Sequence, residues 1–321
     1  MQPPTEATPP KLIALEQIRA VLPSLDLIPI IETGFVEYSA GKAVIPPVGE
    51  LLFDRGDVHI KYGYIKGGEY YVIKIASGFY GNAAFGLPSG NGLMLLFRQK
   101  TGELASILLD QGHLTDVRTA VAGAIAAKHL APKNVERIGI VGAGTQARLQ
   151  LRHLRTVVAC RDALVAGLTE DEVVRYKQDL EHDGFRVATT LDPSEILPAC
   201  NLVVTATPST QPLLHAGELR PGAHITAVGS DTPFKQELDV EILARADVIV
   251  ADSIAQCRDR GEIHKALDTK AITPDKLVEL GDVIAGRAPG RRSESDITVA
   301  DLTGVAVQDI QIATAIVRGL A

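Results

Sequence analysis

The sequence predicts an α/β protein in which a doubly wound parallel sheet is joined to a smaller α+β unit, and three observations carry that prediction. Short apolar runs at 138–141, 163–166, 187–189, 202–205, 223–227 and 248–250 alternate with helical segments, the pattern of parallel strands linked by crossover helices. The stretch Ile138-Gly-Ile-Val-Gly-Ala-Gly-Thr-Gln-Ala147 passes from a buried-strand pattern through a glycine turn into a helix. Ahead of it, between 49 and 109, stand the strand-like runs Val58-His-Ile-Lys-Tyr62, Tyr70-Tyr-Val-Ile-Lys-Ile75 and Gly92-Leu-Met-Leu-Leu-Phe97. Turns such as Lys66-Gly-Gly-Glu69 separate them, as in a small mixed domain.

Taken in chain order, residues 3–10 read as a frayed tail. Apolar positions at helical spacing follow from Leu15 to Tyr38, divided or capped by Pro23 and Pro29. After the strand-rich segment a helix is predicted from near Thr115 through Lys128, ending before Pro132. The parallel-sheet unit then occupies 131–304. A last amphipathic helix, 305–320, has no strand after it and is expected to return to the first domain, so that 1–130 and 305–321 form one unit.

Composition bounds the class. The 321 residues suffice for two cores, with 46% hydrophobic and 22% charged residues. No apolar run approaches a bilayer span, and the start lacks the basic and apolar regions of a signal peptide, so a cytoplasmic protein is expected. A net charge of -7 argues against nucleic acid or an anionic membrane as partner. Arg287, Arg291 and Arg292 read as a solvated loop. Cys160, Cys200 and Cys257 are widely spaced and read as reduced structural thiols, without the spacing of a metal site.

The glycine turn carries the chemistry. Gly142 permits a tight turn, Gly144 leaves room for a pyrophosphate against the backbone, and Ala147 is the small residue where helix meets strand. The free amides of the helix starting near Thr145 suit a diphosphate, which makes this a dinucleotide-binding signature. At the end of the second strand, Ala166-Gly-Leu-Thr169, neither an acid nor an arginine stands to choose between ribose and 2′-phosphate. Thr169 serves either NAD or NADP, and NADP is favoured for a dehydrogenase.

Further landmarks are Lys74 in Tyr-Val-Ile-Lys-Ile, Leu87-Pro-Ser89, Leu114-Thr-Asp-Val-Arg118-Thr-Ala120, Val204-Thr-Ala-Thr-Pro208, Val228-Gly-Ser-Asp231-Thr-Pro-Phe-Lys235-Gln-Glu-Leu-Asp239 and Leu302-Thr-Gly-Val-Ala-Val-Gln-Asp309. In order and spacing, over nearly the whole chain, the sequence resembles the ornithine cyclodeaminase/μ-crystallin family. The resemblance implies a homodimer whose first domain, completed by the last helix, builds the substrate site and the interface. It also implies NAD(P)-linked chemistry at the Cα–N bond of an amino or imino acid. Cofactor contacts are implied for Ser89, Arg118, Thr119, Gly142, Gly144, Thr145, Gln146, Ala147, Thr169, Thr207, Val228, Gly229, Ser230 and Lys235, and substrate contacts for Lys61, Lys74, Arg118, Asp231 and Thr303.

The residues support roles within that frame. Lys74 lies in an apolar alternation where a buried ammonium calls for an anion; the resemblance makes it a catalytic residue holding a carboxylate. Arg118, in the first turn of a helix where the dipole disfavours a cation, suits a carboxylate or phosphate. Asp231 sits at a strand's carboxyl end, either capping a turn or facing a ligand, and the resemblance makes it the general base. The family's carboxylate-gripping arginine is replaced near Ile45-Pro-Pro-Val-Gly-Glu50 by Val48 and Gly49, which shifts that task to Lys74, Arg118 or Lys61. Glu50, following the vacated place, is a candidate receptor for a cationic side chain. The leading expectation is therefore an arginine- or lysine-type L-amino-acid dehydrogenase. The alternatives are ornithine cyclodeamination, cyclic ketimine reduction, and a non-catalytic nucleotide binder.

Overall fold

The structure, a computed structural model, describes residues 9–320, so most of the tail expected at 3–10 lies outside the described residues. The chain opens with β1 (Lys11–Ala14), α1 (Leu15–Val21) and α2 (Leu27–Ser39). The two prolines act as expected: Pro23 falls in a short 3-10 turn between the helices, and Pro29 lies in the first turn of α2. Strands β2 (Ala43–Val44), β3 (Gly49–Phe53), β4 (Gly56–Ile65), β5 (Tyr70–Gly78), β6 (Gly90–Arg98) and β7 (Leu104–Leu109) complete a sheet of order β1-β7-β6-β5-β4-β2, with β3 also on β4. Only β1–β7 is parallel.

One face of this sheet is buried. Val72, Met94, Leu96 and Leu108 line it, and at one end the register pair Lys61–Lys74 replaces the aliphatic residues. The C-terminal helix packs on it, with α2 at its β2–β4 edge, and α3 (His113–Leu130) packs against those two helices. α3 starts at His113, earlier than expected, because Asp110 accepts the Leu114 amide at 2.9 Å. Arg118 therefore stands in the second turn of the helix, where the dipole argument is weaker.

The second sheet contains β8 (Ile138–Val141), β9 (Asp162–Ala166), β10 (Arg186–Thr190), β11 (Leu202–Thr205), β13 (His224–Ala227), β15 (Val248–Ala251), β16 (Leu277–Glu279) and β17 (Thr298–Asp301). It is wholly parallel, in the order β10-β9-β8-β11-β13-β17-β15-β16. β12 (Thr210–Leu214) and β14 (Gln236–Leu238) form a separate parallel pair. The six predicted strands are present. β16 and β17 are additional, and Thr298-Val-Ala-Asp has too little apolar content to be read as a buried strand, although it is fully buried.

Helices α4 (Thr145–Leu154), α5 (Glu170–His182), α6 (Ile196–Ala199), α7 (Val240–Arg245), α8 (Ile254–Cys257), α9 (Gly261–Asp268) and α10 (Leu280–Ile284) flank this sheet. One apolar cluster joins its α4 side to the first sheet, and a second covers its other side. α11 (Val307–Gly319) returns to pack on α2, α3, β4 and β5.

Arg291 is not a solvated loop residue. Its guanidinium donates to the carbonyls of Leu130 (2.7 Å) and Ala223 (3.2 Å) and to Thr298 Oγ1 (3.1 Å), tying the end of α3 to the second sheet. Cys200 and Cys257 are buried and Cys160 half-buried, all as free thiols. No helix among the described residues is long and apolar enough to cross a membrane, and no cluster of three or more His, Cys, Asp or Glu is placed to hold a metal ion.

Candidate active site

Strand order reverses at β8, between β9 and β11, so the carboxyl end of β8 is the switch point where ligands bind in such sheets. Gly142 has φ +111°, and a Cβ there would meet the Ala206 carbonyl at 2.8 Å; the turn itself needs this glycine. At Gly144, the residue before α4, a Cβ would meet nothing within 4 Å. That open ground beside the first amides of α4 fits a diphosphate. Thr145, Gln146 and Ala147 begin the helix, with Ala147 fully buried. Gln146 Nε2 donates to the Asp116 carbonyl (3.3 Å) and Gln150 Nε2 to that of Thr119 (3.1 Å), bracing α4 against α3.

Several expected cofactor contacts turn out to have internal partners. Thr169 Oγ1 caps α5 by accepting the Glu172 amide at 3.3 Å, because a threonine at a helix start satisfies an otherwise unpaired N–H. The Thr207 amide and hydroxyl donate to Glu237 Oε1 (2.6 and 2.7 Å), and the Gly229 amide donates to Glu237 Oε2 (3.0 Å). Glu237 thus staples together the loops after β11 and β13. Ser230 Oγ donates to the Lys235 carbonyl at 2.9 Å, Val228 is buried, and Ser89 lies in an exposed segment, its carbonyl held by the Phe79 amide.

The substrate-side cations do converge. Lys61 and Lys74 face each other across β4 and β5, both buried. Lys61 Nζ donates to the carbonyls of Thr303 (2.9 Å) and Gly304 (2.8 Å). Arg118 Nε donates to Asp309 Oδ1 at 3.1 Å, and Lys74 Nζ lies 3.2 Å from Asp309 Oδ2. Arg118 also donates to Gln308 Oε1. A Cβ placed on Gly304 would lie 2.8 Å from Arg118 Nη1 and 3.0 Å from Lys61 Nζ, so both heads meet over that residue. Burial, followed by the Arg118 charge, pushes Lys74 down to about 7 and Lys61 down to about 8. An arriving carboxylate would raise both and hold them as cations.

Asp309 was not singled out from sequence as a site residue, although it closes the Leu302–Asp309 landmark; it is a carboxylate the chain itself supplies to Lys74 and Arg118. Thr303 serves through its carbonyl. Its hydroxyl donates to Asp252 Oδ1 at 3.1 Å rather than to a ligand.

Asp231 stands beyond Lys61, within range of its charge. Lys235 Nζ donates to Asp231 Oδ1 at 2.7 Å. Burial favours the protonated acid, but Lys235, His59 and Lys61 outweigh it and hold Asp231 well below the usual carboxylate range. Its side chain keeps about a third of its surface open, 32%. Two neighbours were missed in the sequence. His59 lies two positions before Lys61 on the same buried face of β4, with Nδ1 3.9 Å from Asp231 Oδ2. Arg260 donates to the Asp231 carbonyl at 3.1 Å.

Glu50, expected to receive a cationic substrate chain, already faces partners: Oε1 is 3.0 Å from His59 Nε2 and 3.7 Å from Arg260 Nη1. Its register position opposite His59 puts the two side chains together.

Known proteins share this fold. The model of the ornithine cyclodeaminase/mu-crystallin family matches residues 11–319. An uncharacterised cyclodeaminase of Sinorhizobium fredii is 44% identical over 95% of this chain and 94% of its own length. Among solved structures, an archaeal alanine dehydrogenase dimer with bound NAD superimposes with TM-score 0.89 at 33% identity, covering 97% of this chain and 95% of that one. The Thermococcus litoralis Δ1-pyrroline-2-carboxylate reductase in complex with NADH and L-proline gives TM-score 0.91 at 26% identity, covering 96% and 97%.

Proposed function

The chain belongs to the ornithine cyclodeaminase/mu-crystallin family, and from that premise we propose that it is an NAD-dependent oxidoreductase for the Cα–N bond of a small L-amino acid or its imine, with a short neutral or acidic side chain. The carrying observation is the meeting of Lys61 and Arg118 over Gly304, with Lys74 joined to Arg118 through Asp309, beside Asp231. Asp309 is shared by Lys74 and Arg118, and Lys61 spends two of its three N–H donors on the Thr303 and Gly304 carbonyls, which leaves its third for the substrate carboxylate. Asp231 Oδ2 receives the substrate nitrogen. When bound, the nicotinamide exchanges a hydride with Cα.

The arginine- or lysine-type substrate loses its support, because Glu50 is taken by His59 and Arg260. Lys235, Arg260 and Lys61 also surround Asp231 with positive charge, which disfavours a second cation on the substrate. The same charges weigh against cyclodeamination, which needs a side-chain amine at this place.

For the coenzyme, the first turn of α5 carries Glu170, Asp171 and Glu172, and Arg175 is paired with Asp171 at 3.7 Å. Three carboxylates beyond the second strand repel a 2′-phosphate, so NAD is preferred over the NADP favoured on sequence grounds. A homodimer is part of the proposal. The outer face of the first sheet, with Tyr62 and Tyr64 exposed and Tyr71 stacked on Phe97 at 4.9 Å, carries no helix of this chain.

The test supplies NAD or NADP with neutral, acidic and basic L-amino acids and records nicotinamide reduction beside ammonia release. Both signals are expected with NAD and short neutral or acidic substrates. Ammonia without net reduction, from a basic amino acid, would establish cyclodeamination instead.

A further inference from the structure

The Lys235 and Lys61 charges favour the Asp231 carboxylate, so it binds an ammonium well and removes a proton from it poorly, and the site needs another base. His59 occupies the matching position. Its ring is buried in β4, with Glu50 on one side and Asp231 on the other. Nε2 is 3.0 Å from Glu50 Oε1, a charge contact that is not aligned as a hydrogen bond, and neither of these two buried atoms has a hydrogen-bond partner among the described residues. Without a hydrogen bond to fix it, the tautomer follows electrostatics: a bare lone pair this close to a carboxylate oxygen is repelled and an N–H is attracted even off-line, which favours the proton on Nε2 in the neutral ring. Nδ1 then presents its lone pair toward Asp231 Oδ2, 3.9 Å away. Two acceptors that face each other at this separation have no hydrogen bond to share, but one donor with several N–H bonds satisfies both.

Resting on the proposed chemistry at Cα–N, we propose that His59, oriented by Glu50, takes the proton of the substrate amino group on Nδ1 while Asp231 Oδ2 holds the same nitrogen. In the oxidising direction one N–H bond of the ammonium breaks, its electron pair stays on nitrogen, and the proton passes to Nδ1. The product is the free amine, from which hydride transfer at Cα is electronically favourable. In the reducing direction the imidazolium returns that proton.

The charged groups facing the ring set its behaviour. Burial disfavours the imidazolium, Asp231 favours it, Lys61 opposes it, and Asp57 and Glu50 favour it; the balance lies below the ordinary histidine value. His59 is thus a neutral base at pH 7. The oxidative kcat/KM should rise as pH increases through a limb below about 6.5.

Two measurements on the full-length chain decide the matter. The first, independent of turnover, is the ¹⁵N tautomer of His59 at pH 7: a neutral Nε2–H ring is expected, and an Nδ1–H ring or an imidazolium would overturn the proposal. The second compares His59→Asn and His59→Gln with the parent, using NAD with L-alanine and L-aspartate as probes. A loss in kcat of about 100-fold or more, disappearance of the acid limb and unchanged NAD affinity are expected. Glu50→Gln should move that limb to lower pH, since an anion favouring the imidazolium is removed. Turnover within threefold of the parent, or an unmoved limb in folded His59→Asn, would overturn the proposal. A parent without turnover on any amino acid or imine would instead bring down the oxidoreductase reading, leaving the tautomer to judge His59.

Discussion

Gly142 and Gly144 stand two positions apart in one turn and should respond to substitution in different ways. At Gly142 the positive φ and the Ala206 carbonyl oppose any side chain, so Gly142→Ala costs stability by about 1–3 kcal/mol. At Gly144 there is open space, and Gly144→Val should leave thermal stability near the parent's while weakening NAD binding by about 100-fold or more, because the valine occupies the diphosphate's ground. Calorimetric titration of the folded variant checks this; near-normal affinity would remove the coenzyme from this turn. For Asp231→Asn, which keeps the size and loses the charge that holds the substrate nitrogen, turnover should fall by about 100-fold with NAD affinity unchanged. An equal loss of both would mark Asp231 as a structural cap of its loop. Glycines, lysines and Asp231 were legible because their chemistry is unusual for their local pattern. Asp309, Glu237 and His59 were not, because each acts on residues distant in sequence: Asp309 on Lys74, Glu237 on Thr207 and Gly229, His59 on Asp231.

Contacts between elements set how far the nucleotide turn depends on the first domain. α3 and α4 touch where Gly123 faces Gln150, and a Cβ at Gly123 would lie 1.9 Å from Gln150 Oε1. Gly123→Ala should therefore push Gln150 out of its hydrogen bond to the Thr119 carbonyl and destabilise the chain by about 1–3 kcal/mol, measurable as a lowered denaturation midpoint. An unchanged midpoint would show that α4 shifts freely. Strands with aliphatic runs, such as β8, β11 and β15, were readable as buried parallel strands. β17 escaped because its place between β13 and β15 is set by side-chain and backbone partners on both sides: Asp301 accepts the Ile263 amide at 2.8 Å and Thr298 donates to the Leu130 carbonyl at 3.0 Å. The start of α3 was misplaced because its N-cap is Gly112, and Asp110, which accepts the Leu114 amide, lies at the end of a strand pattern.

At the scale of the molecule, one face of the first sheet is packed by α11, with α2 at its β2–β4 edge, and the other is the face proposed for a second copy. Tyr64→Glu on β4 places a charge on that outer face without touching the buried row of His59, Lys61 and Gly63. The variant should sediment as a monomer where the parent sediments as a dimer. A parent that is monomeric at micromolar concentration would contradict the proposed interface. The return of the last helix was legible because its periodicity is a local signal. The pairing of Glu50, His59, Arg260 and Lys235, on which the proposed substrate charge rests, was not, since it joins residues distant in sequence.

The central claim is hydride exchange at the carbon that bears the substrate nitrogen. Its most direct measurement uses L-alanine or L-aspartate deuterated at Cα, with NAD and the full-length chain, followed by the mass of the recovered coenzyme. One deuterium on the nicotinamide ring is the predicted result. Reduced coenzyme without deuterium, or deuterium lost to solvent with the coenzyme unchanged, would contradict it.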